Sequence, residues 1–367
     1  MRPADFSTVQ RPSQRAGNVA RGDGFGDSSN PRRLSELDAL RGLGALMVVG
    51  YHYTTDYRWP YGHTMPVSFY VPWGFHGVQL FFAISGFVIF MTLARTRRPL
   101  DFIVSRFSRL YPAYWVSMLL TTAIVWAAGF DDQKASFLTF VENVPMIQGA
   151  FSRIKQVDGV YWTLAVELCF YGCMFGLFLG RMLEKIEPIL ILWIGLKWLG
   201  LAVHLPHSLS FLVVQSHIPF FAIGICCYRL MTKAIDWRWA AIILTLATVT
   251  VFCVDSIEMG LVACITAAIF LLIVTAGASW LRAKPLIWFG TISYTLYLLH
   301  GNIGSTIIRN FELRHIDSNI AVAVAAVSSI TLATAMTIWI EQPAMKWIRD
   351  RYRERAFATQ QLSGSVP

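Results

Sequence analysis

The sequence predicts an all-α protein, a polytopic membrane helical bundle of about ten transmembrane helices with both termini cytoplasmic. Three observations carry this. Of 367 residues, 55% are hydrophobic and 14% charged, and mean hydropathy is +0.50, a balance foreign to an ordinary soluble domain. Ten stretches are long and apolar enough to cross a bilayer, near 37–54, 75–94, 111–130, 160–180, 187–203, 209–229, 238–254, 258–278, 286–308 and 319–340. Lys and Arg are divided unevenly between the connecting segments. With the N-terminus inside, 23 fall on the cytoplasmic side and 6 outside, while Arg41 and Lys197 lie within spans.

Residues 1–33 are rich in Arg, Gly, Ser and Asp and lack the apolar core of a cleaved leader, which predicts a disordered cytoplasmic tail. Ser35-x-x-Asp38 reads as a capping box opening the first helix of a membrane domain over 34–345. The first, fifth and seventh spans are short, so one is expected to tilt or re-enter. In the fourth, Gly172, Gly176 and Gly180 are spaced for close helix packing. Trp59, Trp73, Trp115, Trp162, Trp237, Trp239 and Trp347 sit at span ends as an interfacial belt would. The longest loops, 55–74 and 130–159, fall outside and can shape a mouth; no appended soluble domain is expected. Residues 346–367 form a basic cytoplasmic tail. The net charge of +9 follows the topology, so no nucleic-acid partner is expected. All six cysteines lie in apolar segments without zinc-like pairing and read as buried small hydrophobes.

Ionisable residues inside apolar helices mark the chemistry, because they face a bundle interior or a wet cavity. Along LDALRGLGALMVVGYHY, Arg41 and His52 are eleven residues apart, roughly three turns and ~16 Å on nearly one face, with Asp38 near the same stripe. His52 is the best general-base candidate, given an ordinary pKa near ~6.5 and a group to orient it. Arg106-x-x-Arg109 can converge on one polyanion, as a phosphate clamp. Arg95, Arg97 and Arg98 read as topology signals. Glu167 is the carboxylate well inside an apolar run, sharing a face with Thr163 and Tyr171. It needs a partner, His52 or an arginine, unless it is a structural staple. Ser293, Tyr297 and His300 share a face; His300 reads equally as functional or as a satisfied interhelical donor. His76 reads as an exposed interfacial histidine. Ser85 lacks a GxSxG elbow and is not taken as a nucleophile. HExxH, P-loop and GxGxxG patterns are missing from the sequence, which removes the usual support for metalloprotease, NTPase and Rossmann readings; no metal is expected.

Six blocks in order, LDALRGLGALMVVGYHY, GVQLFFAISGFVIF, SRFSRLYPAYW, VYWTLAVELCFY, ISYTLYLLH and IEQP, give residues 34–345 a resemblance to the acyltransferase family 3 membrane proteins. The family's Arg-x10-His pattern falls on Arg41 and His52, its RxxR on Arg106 and Arg109, and its W-[ST]-L-x-x-E on Trp162, Thr163, Leu164 and Glu167. The resemblance implies about ten helices, an acyl-CoA donor (acetyl-CoA foremost) held by Arg106 and Arg109, and a catalytic His52.

The expectation is therefore a multi-pass enzyme of the inner (plasma) membrane, moving an acyl group from cytoplasmic acyl-CoA to a hydroxyl of a carbohydrate or glycolipid acceptor. His52 acts as base or acyl relay, with Glu167 orienting it and Arg41 beside the path; Trp162, Tyr171, Tyr297 and His300 contact substrate. The alternative is a transporter or flippase of a sugar, lipid or acyl group that uses the same His, Glu and Arg as a relay without making a bond.

Overall fold

The computed structural model describes residues 34–58, 61–151, 153–203 and 205–363. The expected tail over 1–33 and Trp59 lie outside the described residues. The described residues contain helices and no strand. In chain order the helices are α1 (Ser35–Gly50), α2 (Gly77–Arg95), α3 (Pro99–Ala128), α4 (Phe137–Asn143), α5 (Trp162–Leu179), α6 (Ile186–Ala202) and α7 (His207–Leu212). They continue with α8 (Ile218–Met231), α9 (Trp237–Val254), α10 (Ile257–Thr275), α11 (Lys284–Leu299), α12 (Gly301–Glu312), α13 (Ser318–Met336) and α14 (Gln342–Ser363). Two π-helical turns, Tyr51–Thr55 and Thr337–Glu341, extend α1 and α13.

Among the described residues, six helical segments are long and apolar enough to cross a membrane: Pro72–Arg95, Pro99–Ala128, Gly159–Leu179, Trp237–Val254, Ile257–Thr275 and Ser318–Ala356. The other four predicted stretches are helical but shorter or interrupted. The sixth divides into α7 and α8, and the ninth breaks at His300 between α11 and α12. Both breaks fall at short polar interruptions, Gln215-Ser216-His217 and His300-Gly301-Asn302, which hydropathy averaged over a whole span does not register. Conversely, α3 starts at Pro99, where the missing N–H of proline is harmless, so Arg106 and Arg109 ride on a helix and not in a loop. Of the expected basic tail over 346–367, residues 346–363 lie in α14, packed along α3, and 364–367 lie outside the described residues.

Local chemistry fixes several ends. Asp317, Ser256 and Ser136 accept backbone N–H bonds at the starts of α13, α10 and α4. The capping box expected at Ser35 does not form. Leu34 is the N-cap, Ser35 lies in the first turn, and its neighbour Glu36 is buried against Arg282 at 2.7 Å.

Packing centres on α1 against α11 and on α2 against α8. The first pair is nearly in backbone contact. A Cβ on Gly290 would fall 1.9 Å from the Asp38 carbonyl oxygen, and one on Gly42 2.3 Å from that of Leu286. At Gly172 and Gly176 a Cβ would meet nothing within 4 Å, so the predicted packing motif is not a helix contact here. Two further expectations change. His76 is buried, 5% exposed, with Nε2 3.0 Å from Glu258. Cys253 and Cys264 are exposed, unlike Cys169, Cys226 and Cys227. Lys197 is buried and donates to Asp255 and to the Ser216 carbonyl. Trp73, Trp237, Trp239 and Trp347 are exposed.

Candidate active site

Two polar clusters sit along α1, separated by the ~16 Å from Arg41 to His52. At the His52 end the helix loosens into the π-turn, which brings Asp56, four residues on, alongside the imidazole: Nδ1 lies 2.9 Å from Asp56 Oδ2. The Thr54 hydroxyl donates to the Gly50 carbonyl at 2.6 Å, and Thr54 and Thr55 both accept from the Val71 N–H, which pins the turn to the outer loop. Asp56 therefore occupies the orienting position that sequence reasoning gave to Glu167. Nε2 of His52 has no hydrogen-bond partner within the described protein.

The facing wall comes from the α11–α12 break. The His300 ring lies 5.1 Å from that of His52, centroid to centroid. His300 is fully buried, and Nδ1 meets the carbonyls of Tyr297 at 2.8 Å and Leu296 at 3.2 Å. Carbonyls only accept, so the proton is on Nδ1 and Nε2 carries a lone pair. That Nε2 is buried without a partner. The break is held open by Tyr53, whose hydroxyl donates to the His300 carbonyl at 2.9 Å and meets Ser329 at 2.7 Å. Buried Asp158 accepts from the Asn302 N–H at 2.7 Å and the Val160 N–H at 3.2 Å. Burial raises its carboxyl above the ordinary range, against the pull of those N–H donors. Gly301 is required here, since a Cβ would fall 2.2 Å from the Asp158 carboxylate.

Between the clusters, Tyr297 donates to the Val160 carbonyl at 3.0 Å and receives the Thr163 hydroxyl at 2.7 Å. Its ring lies 5.5 Å from that of His300. At the other end, Glu167 accepts from Ser85 and from Tyr171. The Arg106 guanidinium stands 6.0 Å from the ring centres of both Tyr171 and Phe102. Arg109 pairs with buried Glu341, which the second π-turn carries, and sits over Tyr294 at 5.6 Å. Arg41 pairs with Asp38 at 3.0 Å, within electrostatic reach of Arg109 and Glu167.

The structure thus gathers Arg41, Arg106, Arg109, Glu167 and Tyr171 at one end, and His52, His300 and Tyr297 toward the other. Trp162 differs. Its ring neighbours are Phe82 at 6.3 Å and His217 at 5.6 Å. Asp56, Asp158 and Glu341 escaped sequence reasoning. The i, i+4 spacing of His52 and Asp56 was a readable signal; the other two are joined to the site only by tertiary packing.

A multi-pass helical membrane protein with an imidazole–carboxylate pair and an arginine cluster inside its bundle is the class these features define. The family model for an acyltransferase domain matches residues 34–339, and the chain belongs to that family. It is an acyltransferase, which decides against the transporter alternative. Among curated proteins it is similar to "Protein 2 in picA locus" of Rhizobium radiobacter, 36% identical over 165 residues, 44% of this chain and 75% of that protein. It is also similar to "Exopolysaccharide production protein ExoZ" of Rhizobium meliloti, 32% identical over 113 residues, 29% of this chain and 36% of that protein. The "Putative peptidoglycan O-acetyltransferase YrhL" of Bacillus subtilis is 28% identical over 162 residues, 38% of this chain and 23% of that protein. The chain therefore aligns with well under half the length of the last two. No solved structure matches.

Proposed function

We propose that this chain is an O-acyltransferase of the inner (plasma) membrane, crossing it about ten times with both ends in the cytoplasm. It takes an acyl group, acetyl foremost, from cytoplasmic acyl-CoA and passes it to a hydroxyl of a carbohydrate or glycolipid. Arg106 and Arg109 receive the donor's phosphates. The pantetheine arm follows the polar line past Arg41, Tyr171 and Tyr297 to the thioester's place beside His52. His52 Nε2 takes the acceptor hydroxyl's proton as the oxygen bonds to the thioester carbon. The C–S bond then breaks, and the CoA thiolate leaves with the proton returned from His52. Asp56 holds Nδ1–H and stabilises the imidazolium. The lone pair on His300 Nε2 receives a substrate N–H or O–H. Glu167 acts at the arginine end, as a counter-charge to Arg41 and the anchor of Tyr171.

The observation that carries this reading is the His52–Asp56 pair, with Nε2 of the same imidazole open beside His300. The carbohydrate acceptor rests on two relatives, one named for exopolysaccharide production and one as a putative peptidoglycan O-acetyltransferase. The test uses purified protein, acetyl-labelled acetyl-CoA and a sugar acceptor. His52→Ala is expected to abolish label transfer; transfer at the wild-type rate would remove the mechanism.

A further inference from the structure

The expected clamp of Arg106 and Arg109 is not the whole set of cations at that end. Arg349 of α14 joins it. Its Nε donates to Ser108 Oγ at 3.1 Å and Nη2 to the Ser105 carbonyl at 3.3 Å, on the α3 turn that bears Arg106 and Arg109. It lies within electrostatic reach of both. Tyr352, one turn further on, donates to Asp101 at 2.8 Å and ties α14 to the start of α3.

The local charges do not balance. Arg41 is paired with Asp38 and Arg109 with Glu341, whereas Arg106 and Arg349 have no ion-pair partner among the described residues. Arg106 Nε is buried with no acceptor at all, and its Nη2 reaches only the Ser105 hydroxyl at 3.0 Å. Two half-buried guanidinium groups beside each other repel, and each gives up water that no carboxylate replaces. A phosphoryl group supplies both the missing charge and the acceptors, because its oxygens match the guanidinium fork.

We propose that Arg349, acting with Arg106, binds a phosphoryl group of the acyl-CoA donor, so that the C-terminal helix is part of the donor site. This rests on the acyl-CoA reading above. Arg349 lies on α14, beyond residues 34–339, the reach of the family match.

The experiment uses the full chain in phosphatidylcholine nanodiscs, with adenosine 3′,5′-bisphosphate as the binding probe and acetyl-CoA or phosphate-free S-acetylpantetheine as donor. For Arg349→Ala the bisphosphate Kd and the acetyl-CoA KM are both expected to rise about ten- to a hundredfold. The KM for S-acetylpantetheine and kcat should stay within about threefold of wild type. Arg349→Lys, which keeps the charge and the packing but not the fork, should weaken bisphosphate binding less, at an unchanged unfolding temperature. Equal bisphosphate affinity in wild type and both variants would overturn the proposal. So would a finding that phosphatidylglycerol displaces the bisphosphate and that Arg349→Ala changes only lipid retention; the occupant would then be a headgroup. Bisphosphate binding that depends on Arg349 in a protein that never uses acetyl-CoA would keep the anion site and remove the donor reading instead.

Discussion

Replacing Asp56 by Asn tests the centre of the mechanism with little change in shape. Asn keeps an oxygen for the His52 Nδ1–H but removes the charge that balances the imidazolium. Unit charges about 4 Å apart interact by about 4 kcal/mol near a protein surface and about 1 kcal/mol in bulk water. The Asp56 side chain is 44% exposed and that of His52 28%, so solvent screening places the loss between these limits, at about 2–3 kcal/mol. That corresponds to a fall in kcat of about 30- to 150-fold. The donor's KM should stay within about threefold, because Asp56 sits beside His52, which lies some ~16 Å from Arg41. The assay is single-turnover acetyl transfer by purified protein, with substrate binding measured separately. An Asp56→Asn enzyme of wild-type kcat would refute the reasoning, and so would one whose defect lay wholly in KM.

Four further outcomes follow from the geometry. Glu341→Gln leaves the Arg109 guanidinium without its buried partner and should cost about 3 kcal/mol of stability, read as a lower unfolding temperature, since Glu341 is 1% exposed and Arg109 30%. Replacing both by Met should restore part of that loss; no recovery would speak against an ion-pair origin. Gly290→Ala drives a methyl into the Asp38 carbonyl and should destabilise by about 1–3 kcal/mol or more, while Gly172→Ala, with open space at its Cβ, should be neutral or better. His300→Ala removes the unpartnered Nε2 and should lower kcat/KM about tenfold or more without loss of folded protein; full activity would return His300 to a packing role. Single cysteines at Arg58 and Arg106, in a background lacking the exposed Cys253 and Cys264, should react from opposite sides of the membrane; labelling from one side would overturn the two-sided arrangement.

Helix type was plain in the sequence, because long apolar runs leave the backbone no partner in lipid but itself. Register and interruption were not. The break at His300 falls on a short polar interruption, His300-Gly301-Asn302, too brief to divide a span, and what fixes it is tertiary: Asp158 binds the Asn302 N–H that it frees, and Tyr53 bonds the His300 carbonyl. Arg41, His52, Arg106 and Arg109 were legible as costly ions at helical spacing. Asp56 was passed over because it stands just past the apolar stretch, where a carboxylate looks like ordinary solvated loop. His76 was misjudged for the same reason, its partner Glu258 being far along the chain. Arg349 was read as one charge of a basic tail, since only the folded chain lays α14 against α3. The glycine triplet failed in the opposite sense: spacing permits a close helix contact, but among the described residues no atom of another helix lies within 4 Å of where a Cβ on Gly172 or Gly176 would stand.

Both π-turns carry a residue of the candidate site, His52 in one and Glu341 in the other. Such a turn is an α-helix holding one residue too many. Remove one residue from the first, between Gly50 and Asp56, and the coil would close to ordinary pitch, swinging the imidazole about 100° around the axis relative to one flank. The aim of the imidazole is thus written in the number of residues as much as in their kind. A deletion at that point is expected to disarm the enzyme although the chain keeps every residue of the site.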